Sequence, residues 1–169
     1  MRNLLEGIAT LGESIRARPI DTWENFYFTK VGDDVYRQAE AVATRISEIS
    51  RGRKTRKLSA NSEIVGKVGE YVVRGFAEHY FRGPWESFVE VVNPKGGDTT
   101  DLKLWGAAID VKTRQLHSDA TIAPNFDLRV PEHEIAKQQD IYLLAGYCPG
   151  SAYGYLFGWC TYEELQVKP

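Results

Sequence analysis

The chain of 169 residues has few cysteines, almost no net charge and no long apolar run. Its two cysteines, Cys148 and Cys160, form neither a CxxC pair nor a metal-type cluster, which argues against an iron–sulfur centre held by four thiolates. No apolar run approaches the about 20 residues that span a bilayer, and acidic and polar residues interrupt the first 19 positions, unlike a signal peptide. We therefore expect a cytoplasmic protein in a reducing setting, with no membrane partner.

The formal net charge of −2 argues against a protein that binds nucleic acid through its overall charge. The charge is nevertheless uneven, because residues 51–57 read RGRKTRK and contain no acid. Such a run is either solvated surface or a phosphate-binding segment. We carry the second reading as a hypothesis for five residues: Arg51, Arg53, Lys54, Arg56 and Lys57.

The apolar content of 43% is that of a globular protein, and its periodicity divides the chain into two parts. Residues 1–58 are predicted to form a helical N-terminal extension, with helices over 1–18 and 33–50, a connection between them, and the basic run at its end. Residues 59–169 are predicted to form the core, in the order helix, three strands (SFVEVVN, DLKLW and AIDVKT), helix, two strands and a last helix capped by Thr161. Residues 126–130, FDLRV, are a further candidate strand. This order predicts an α/β fold with a mixed β-sheet flanked by helices.

Acids and lysines interrupt the apolar pattern in the two central strands, DLKLW and AIDVKT. If Gly106 and Ala107 form a two-residue hairpin loop, Leu104 lies opposite Ile109 and Leu102 opposite Val111, which gives one apolar face. The other face then pairs acids with lysines across the hairpin: Asp101 with Lys112, and Asp110 with Lys103.

This polar face has two readings. It is either a solvated face with cross-strand ion pairs, each contributing under about 1 kcal/mol, or a site for a divalent cation. The apolar run AAIDVK is typical of a central strand, which disfavours free solvation of the face. The preceding helix adds Glu70, a third carboxylate, and Gly66 and Gly69 in that helix predict close approach by another backbone.

The series Asp101 … Asp110-Val111-Lys112 resembles the signature of the PD-(D/E)xK nuclease superfamily, with Glu70 where many members carry an acid on the preceding helix. The resemblance extends to the element order from about residue 59 onward and implies a restriction-endonuclease-like fold. Thr100 stands in place of the signature proline, and Asp98 competes with Asp101 as the first acid.

The resemblance implies a Mg²⁺-dependent nuclease acting on DNA, with Mn²⁺ able to substitute. It assigns Asp101, Asp110 and the backbone carbonyl of Val111 as metal ligands, Glu70 as a direct or water-mediated ligand, and Lys112 as the residue that orients water and stabilises charge on the phosphate. Gln138, expected on the helix after the motif strand, resembles a glutamine that some members place near the site. Arg114, two residues beyond Lys112, is a further candidate for phosphate contact.

Two alternatives stay open from the sequence. One is a non-catalytic DNA-binding or assembly subunit built on the same fold, and the other is a nuclease for RNA or branched DNA. A homodimer would supply two sites for two strands, although no residue pattern indicates it.

Overall fold

The computed structural model describes residues 27–50, 60–81, 83–92, 100–117, 130 and 135–166. The elements are, in chain order, β1 (Tyr27–Lys30), α1 (Asp33–Ser50), α2 (Ala60–Tyr80), β2 (Trp85–Ser87), β3 (Leu102–Leu104), β4 (Ala107–Gln115), β5 (Ile141–Cys148), β6 (Tyr153–Thr161) and α3 (Tyr162–Gln166). The expected α/β class with a mixed sheet and helices is confirmed. The expected helix over residues 1–18 and the basic run 51–57 lie outside the described residues. The candidate strand over residues 126–130 lies outside them as well, apart from Val130, which is not in a strand.

The six strands form one sheet in the order β1-β6-β5-β4-β3-β2. Only the central pair β4 and β5 is parallel, and the other neighbours are antiparallel. β5 is buried along its whole length. A strand buried on both faces needs an unbroken apolar sequence, as in IYLLAGYC. The motif strand β4 therefore lies in the middle of the sheet, as its apolar sequence predicted.

α2 packs on the sheet through its small residues. A Cβ added at Gly69 would lie 1.8 Å from Thr113 Oγ1 of β4, so only glycine permits this approach. The Thr113 hydroxyl in turn donates to the Gly66 carbonyl at 3.3 Å. A close approach is thus found at Gly69, although the neighbour is the Thr113 side chain and not the predicted backbone, whereas a Cβ at Gly66 would meet nothing within 4 Å. The main core fills the space between this helix and the apolar sheet face; it includes Val73, Ala77, Leu102, Leu104, Ile109, Val111, Ile141 and Leu143.

α1 packs against the other side of α2 through a second cluster that includes Ala39, Val65, Val68 and Val72. Residues 27–30, which the sequence analysis placed in a connection, instead form the edge strand β1 and pair with β6 from Tyr27↔Leu156 to Lys30↔Tyr153. Residues 27–50 thus contribute a strand and a helix to the same body as the sheet. The last helix begins with the expected cap. Thr161 Oγ1 accepts a hydrogen bond from the Glu164 N–H at 3.2 Å, and the Glu164 carboxylate accepts one from the Thr161 N–H at 2.9 Å.

The first predicted core strand, SFVEVVN, is wrong in position. The observed β2 ends at Ser87, and the Val91 N–H donates to the Phe88 carbonyl at 2.8 Å to close a turn. This turn directs Val89 into the core and leaves Val91 54% exposed. The alternation that suggested a strand is produced here by a turn over the surface of α2. Among the described residues, no helix has both the length and the apolar character needed to cross a membrane.

Candidate functional site

The hairpin of β3 and β4 has a different register from the predicted one. Its two loop residues are Trp105 and Gly106, both with positive φ (47° and 85°), as a type I′ turn requires. Leu104 therefore pairs with Ala107 and Leu102 with Ile109. The apolar face is confirmed, because a shift of two residues preserves which side chains share a face. The predicted pairs of Asp101 with Lys112 and Asp110 with Lys103 are wrong.

The tight turn depends on tertiary packing of Trp105. Its ring packs on Phe81 with centroids 4.2 Å apart, and the backbone N–H of Trp105 donates to the Pro84 carbonyl at 2.9 Å. Gly83 permits this position, since a Cβ there would lie 1.9 Å from the indole nitrogen. These contacts hold a tryptophan in a left-handed conformation that it would otherwise avoid.

The observed register brings Asp101 beside Asp110. The Asp101 N–H donates to the carbonyl of Ile109, and Asp101 Oδ2 accepts from the N–H of Val111 at 2.7 Å. Asp101 is therefore bonded to the residues on either side of Asp110. Because the N–H and C=O of one strand residue point to the same strand edge, the Val111 carbonyl faces the side on which Asp101 lies.

Asp110 is buried and has an incompletely satisfied carboxylate. Lys112, two residues further along the same strand face, places its Nζ 2.5 Å from Asp110 Oδ2. Among the described residues no donor meets hydrogen-bond geometry to this oxygen, so the Lys112 ammonium is its close charged contact.

α2 adds an ion pair to the same region. Lys67 and Glu70 are 5% and 7% exposed, and Lys67 Nζ lies 2.7 Å from Glu70 Oε2. Because Gly69 packs closely on Thr113, the positions of the Lys67 and Glu70 side chains are fixed relative to β4. Lys67 also acts electrostatically on Asp101, which links the helix to the hairpin.

The pKa of Asp101 is raised from its ordinary 3.8 to about 6, chiefly because burial disfavours the charged carboxylate. The N–H of Val111 lowers this pKa, the charge of Asp110 raises it, and the ammonium groups of Lys67 and Lys112 lower it. The native fold therefore holds a carboxylate in a place where its negative charge is unfavourable.

The two aspartates fit a hard divalent cation. Mg²⁺ usually keeps several waters and takes only one or two carboxylates from the protein, and its preferred ligands are oxygens such as those of Asp101 and Asp110. Across the described ranges, no group of three or more His, Cys, Asp or Glu side chains is arranged to hold a metal ion. Glu70 is engaged by Lys67, and Asp98 lies outside the described residues.

The other predicted site residues differ in their placement. Arg114 is exposed on β4, on the same face as Lys112. Gln138 is exposed, has a φ of 50°, and follows a turn in which its N–H donates to the Ile135 carbonyl, so its expected helical position is wrong. The neighbouring Gln139 is 5% exposed and directs its amide into the protein. The basic residues of 51–57 lie outside the described part of the chain.

Two residues beside the site escaped the sequence analysis. Tyr142 pairs with Asp110 across β4 and β5 and is fully buried; its hydroxyl approaches the Gln139 N–H without reaching hydrogen-bond geometry. Burial raises the pKa of Tyr142, as does the charge of Asp110 to a smaller extent. Lys67 was missed because a lysine near a glycine in an amphipathic helix is ordinarily solvated. The signal that could have found it is its i, i+3 spacing to Glu70.

No protein-family model, curated protein or solved structure matches this chain.

Proposed function

We propose that this protein is a metal-dependent nuclease that hydrolyses phosphodiester bonds in DNA. The observation that carries the proposal is the juxtaposition of Asp101 and Asp110 at the end of β3, with Lys112 against Asp110. The buried charge of Asp101 disfavours folding, and a carboxylate held in this way beside a second carboxylate is typical of a site that binds a cation or reacts. The motif residues also resemble the PD-(D/E)xK signature, which implies a restriction-endonuclease-like fold. This resemblance supports the proposed nuclease function.

In this proposal Asp101, Asp110 and the Val111 carbonyl hold Mg²⁺ or Mn²⁺, and Glu70 binds directly or through water. When bound, the cation supplies positive charge at the scissile phosphate and acidifies water. Among the described residues, Lys112, whose side chain is 20% exposed, is the cation best placed to meet a phosphate oxygen and the attacking water. Arg114 and the basic run 51–57 bind phosphates further along the DNA.

The test is cleavage of supercoiled plasmid and of labelled single-stranded DNA, branched DNA and RNA, in Mg²⁺, in Mn²⁺ and in EDTA. The decisive variant is Asp110→Asn, which removes the charge and keeps the shape. Its matched control is Glu86→Gln, which neutralises an exposed acid on the edge strand β2. We expect metal-dependent cleavage that Asp110→Asn lowers by at least about 100-fold and Glu86→Gln leaves unchanged. Cleavage by Asp110→Asn at the wild-type rate would refute the proposal, and the preferred substrate would separate DNA from RNA or branched DNA.

A second candidate is a non-catalytic DNA-binding or assembly subunit. The ion pairs of Lys67 with Glu70 and of Lys112 with Asp110 favour it, because lysines already neutralise two of the buried acids without a metal. Calorimetry with Mn²⁺ separates the two candidates. A subunit of this kind needs no Mn²⁺ site and cuts none of the substrates.

A further inference from the structure

The sheet face that carries Lys112 continues from β4 to the edge strand β1. Residues that pair directly across a sheet lie on the same face. Arg114 pairs with Gly146, and Gly146 pairs with Tyr155. Tyr155 in turn pairs with Phe28. These four residues therefore form one row across β4, β5, β6 and β1, and Arg114 shares its face with Lys112 because side chains alternate along a strand.

Aromatic rings cover this row. The centroid of the Phe28 ring lies 6.1 Å from that of Tyr153 and 6.5 Å from that of Tyr155. The rings of Tyr155 and Phe157 are nearly parallel, with 5° between their planes and 5.9 Å between their centroids. A Cβ at Gly146 would lie 2.5 Å from Phe157 Cε2, so glycine leaves room for the Phe157 ring above β5. The rings therefore form a continuous aromatic surface from β5 to the edge of the sheet.

Part of this surface is open to a ligand. Phe28 is 54% exposed, and Tyr153 and Phe157 are half-buried. Exposed cations lie at both ends of the surface, Lys30 two residues beyond Phe28 on β1 and Arg114 on β4. A contiguous apolar patch with polar residues at its rim is typical of a binding surface. Rings that offer a stacking face, next to cations that can meet phosphates, are the features by which proteins bind single-stranded nucleic acid.

We propose that this aromatic row binds a single strand of DNA, with bases stacked on Phe28 and Phe157. Lys30 and Arg114 bind its phosphates. Duplex DNA keeps its base faces inside the stack, so the row selects single-stranded DNA. Lys112 lies about 7 Å along β4 from Arg114, which leads the bound strand toward the two aspartates. The inference names the substrate of the proposed nuclease and to that extent rests on the proposed function.

The measurement is the fluorescence anisotropy of a labelled oligothymidine of about 16 nucleotides, compared with a duplex of the same length, in EDTA so that no metal-dependent cleavage occurs. Phe28→Leu removes the ring and keeps an apolar side chain, whereas Phe28→Tyr keeps the ring. The matched control is Tyr80→Leu. Tyr80 is 57% exposed, but it packs on Tyr27, whose side chain points to the other face of the sheet.

We expect the wild type to bind the single strand more tightly than the duplex. Phe28→Leu should weaken binding of the single strand by about 5- to 150-fold, and Phe28→Tyr and Tyr80→Leu should leave it unchanged. Arg114→Gln should weaken binding of both DNAs and lower the slope of log K against log salt for the single strand by about 0.7. Since Arg114 is exposed, this variant keeps the test informative if Phe28→Leu fails to fold.

A preference for the duplex, or single-strand binding that Phe28→Leu and Arg114→Gln leave at the wild-type level, would overturn the inference. Loss of self-association in Phe28→Leu, with unchanged affinity for DNA, would identify an interface between two copies of the chain and would overturn it as well. Failure of the proposed function has a different signature. Binding of the single strand that depends on Phe28, without cleavage of any substrate in Mg²⁺ or Mn²⁺, would support the binding surface and refute the nuclease.

Discussion

Replacement of Asp101 with asparagine should stabilise the metal-free protein at neutral pH while abolishing its proposed activity. Asparagine has the same shape and can still accept the Val111 N–H through its amide oxygen. It carries no charge, however, and the buried charge of Asp101 is what the fold opposes. An amide is a weaker ligand than a carboxylate for a hard cation, so the same change should remove cleavage.

The magnitude follows from the raised pKa of Asp101. A pKa of about 6 in the folded protein, against 3.8 for the ordinary carboxyl, is a difference of about 2 pH units, which corresponds to about 3 kcal/mol. Between these two pKa values the folded state holds a proton that the unfolded state has lost. The contribution of Asp101 to stability is therefore fully present below about pH 4, is lost as the pH rises toward 6, and stays lost above it.

The assay is urea unfolding in EDTA from pH 4.5 to 8, with wild type, Asp101→Asn and Asp140→Asn. Asp140 also accepts a backbone N–H at 2.7 Å but is exposed, so it controls for the amide as an acceptor. We expect Asp101→Asn to approach wild-type stability at the acidic end and to exceed it by up to about 3 kcal/mol at pH 8, or roughly 6–12 °C in melting temperature. A difference that does not vary with pH, or a variant less stable than wild type at pH 8, would refute the reasoning.

Two further changes test the packing around the site. Gly69→Ala should destabilise the protein and lower cleavage, because its Cβ would lie 1.8 Å from Thr113 Oγ1. Gly66→Ala in the same helix would meet nothing within 4 Å and should stabilise the protein by up to about 1 kcal/mol. Thermal melts that rank the two variants in the opposite order would contradict this packing. Tyr142→Phe should leave the free energy of unfolding unchanged or raise it by about 1 kcal/mol, because the buried hydroxyl lacks a well-formed hydrogen bond. A clear loss of stability in urea unfolding would mean that the hydroxyl has a good hydrogen-bond partner.

The parts of the fold that follow from periodicity were predictable from the sequence. The helix over residues 33–50 has the predicted bounds, and the apolar face of the hairpin was assigned correctly, because both depend on repeating patterns of apolar residues. The partner of each hairpin residue was not predictable in the same way. It depends on which two residues form the turn, and the packing of Trp105 on Phe81 decides that from outside the hairpin.

The same distinction applies to the candidate site. Asp101, Asp110 and Lys112 were found because they interrupt an apolar pattern at a recognisable spacing. Lys67 and Tyr142 have ordinary places in their elements, and only the three-dimensional structure shows that they are buried beside the acids. The edge strand β1 is short, and its aromatic residues are equally compatible with a packed loop, so no local pattern identified it.

The corrected register also bears on why the acids are present. The predicted pairing would have placed a lysine opposite each aspartate, and simple ion pairing would then have explained the face. The observed register instead places the aspartates side by side, and burial, with a smaller contribution from the Asp110 charge, opposes the charge of Asp101 by about 3 kcal/mol at neutral pH. A cation bound only by the folded state at 100 times its dissociation constant stabilises that state by about 2.7 kcal/mol, which is close to this penalty. Saturating Mn²⁺ should therefore raise the stability of the wild-type protein to near that of Asp101→Asn and leave the variant almost unchanged. If Mn²⁺ stabilises neither protein, the two aspartates do not form a cation site.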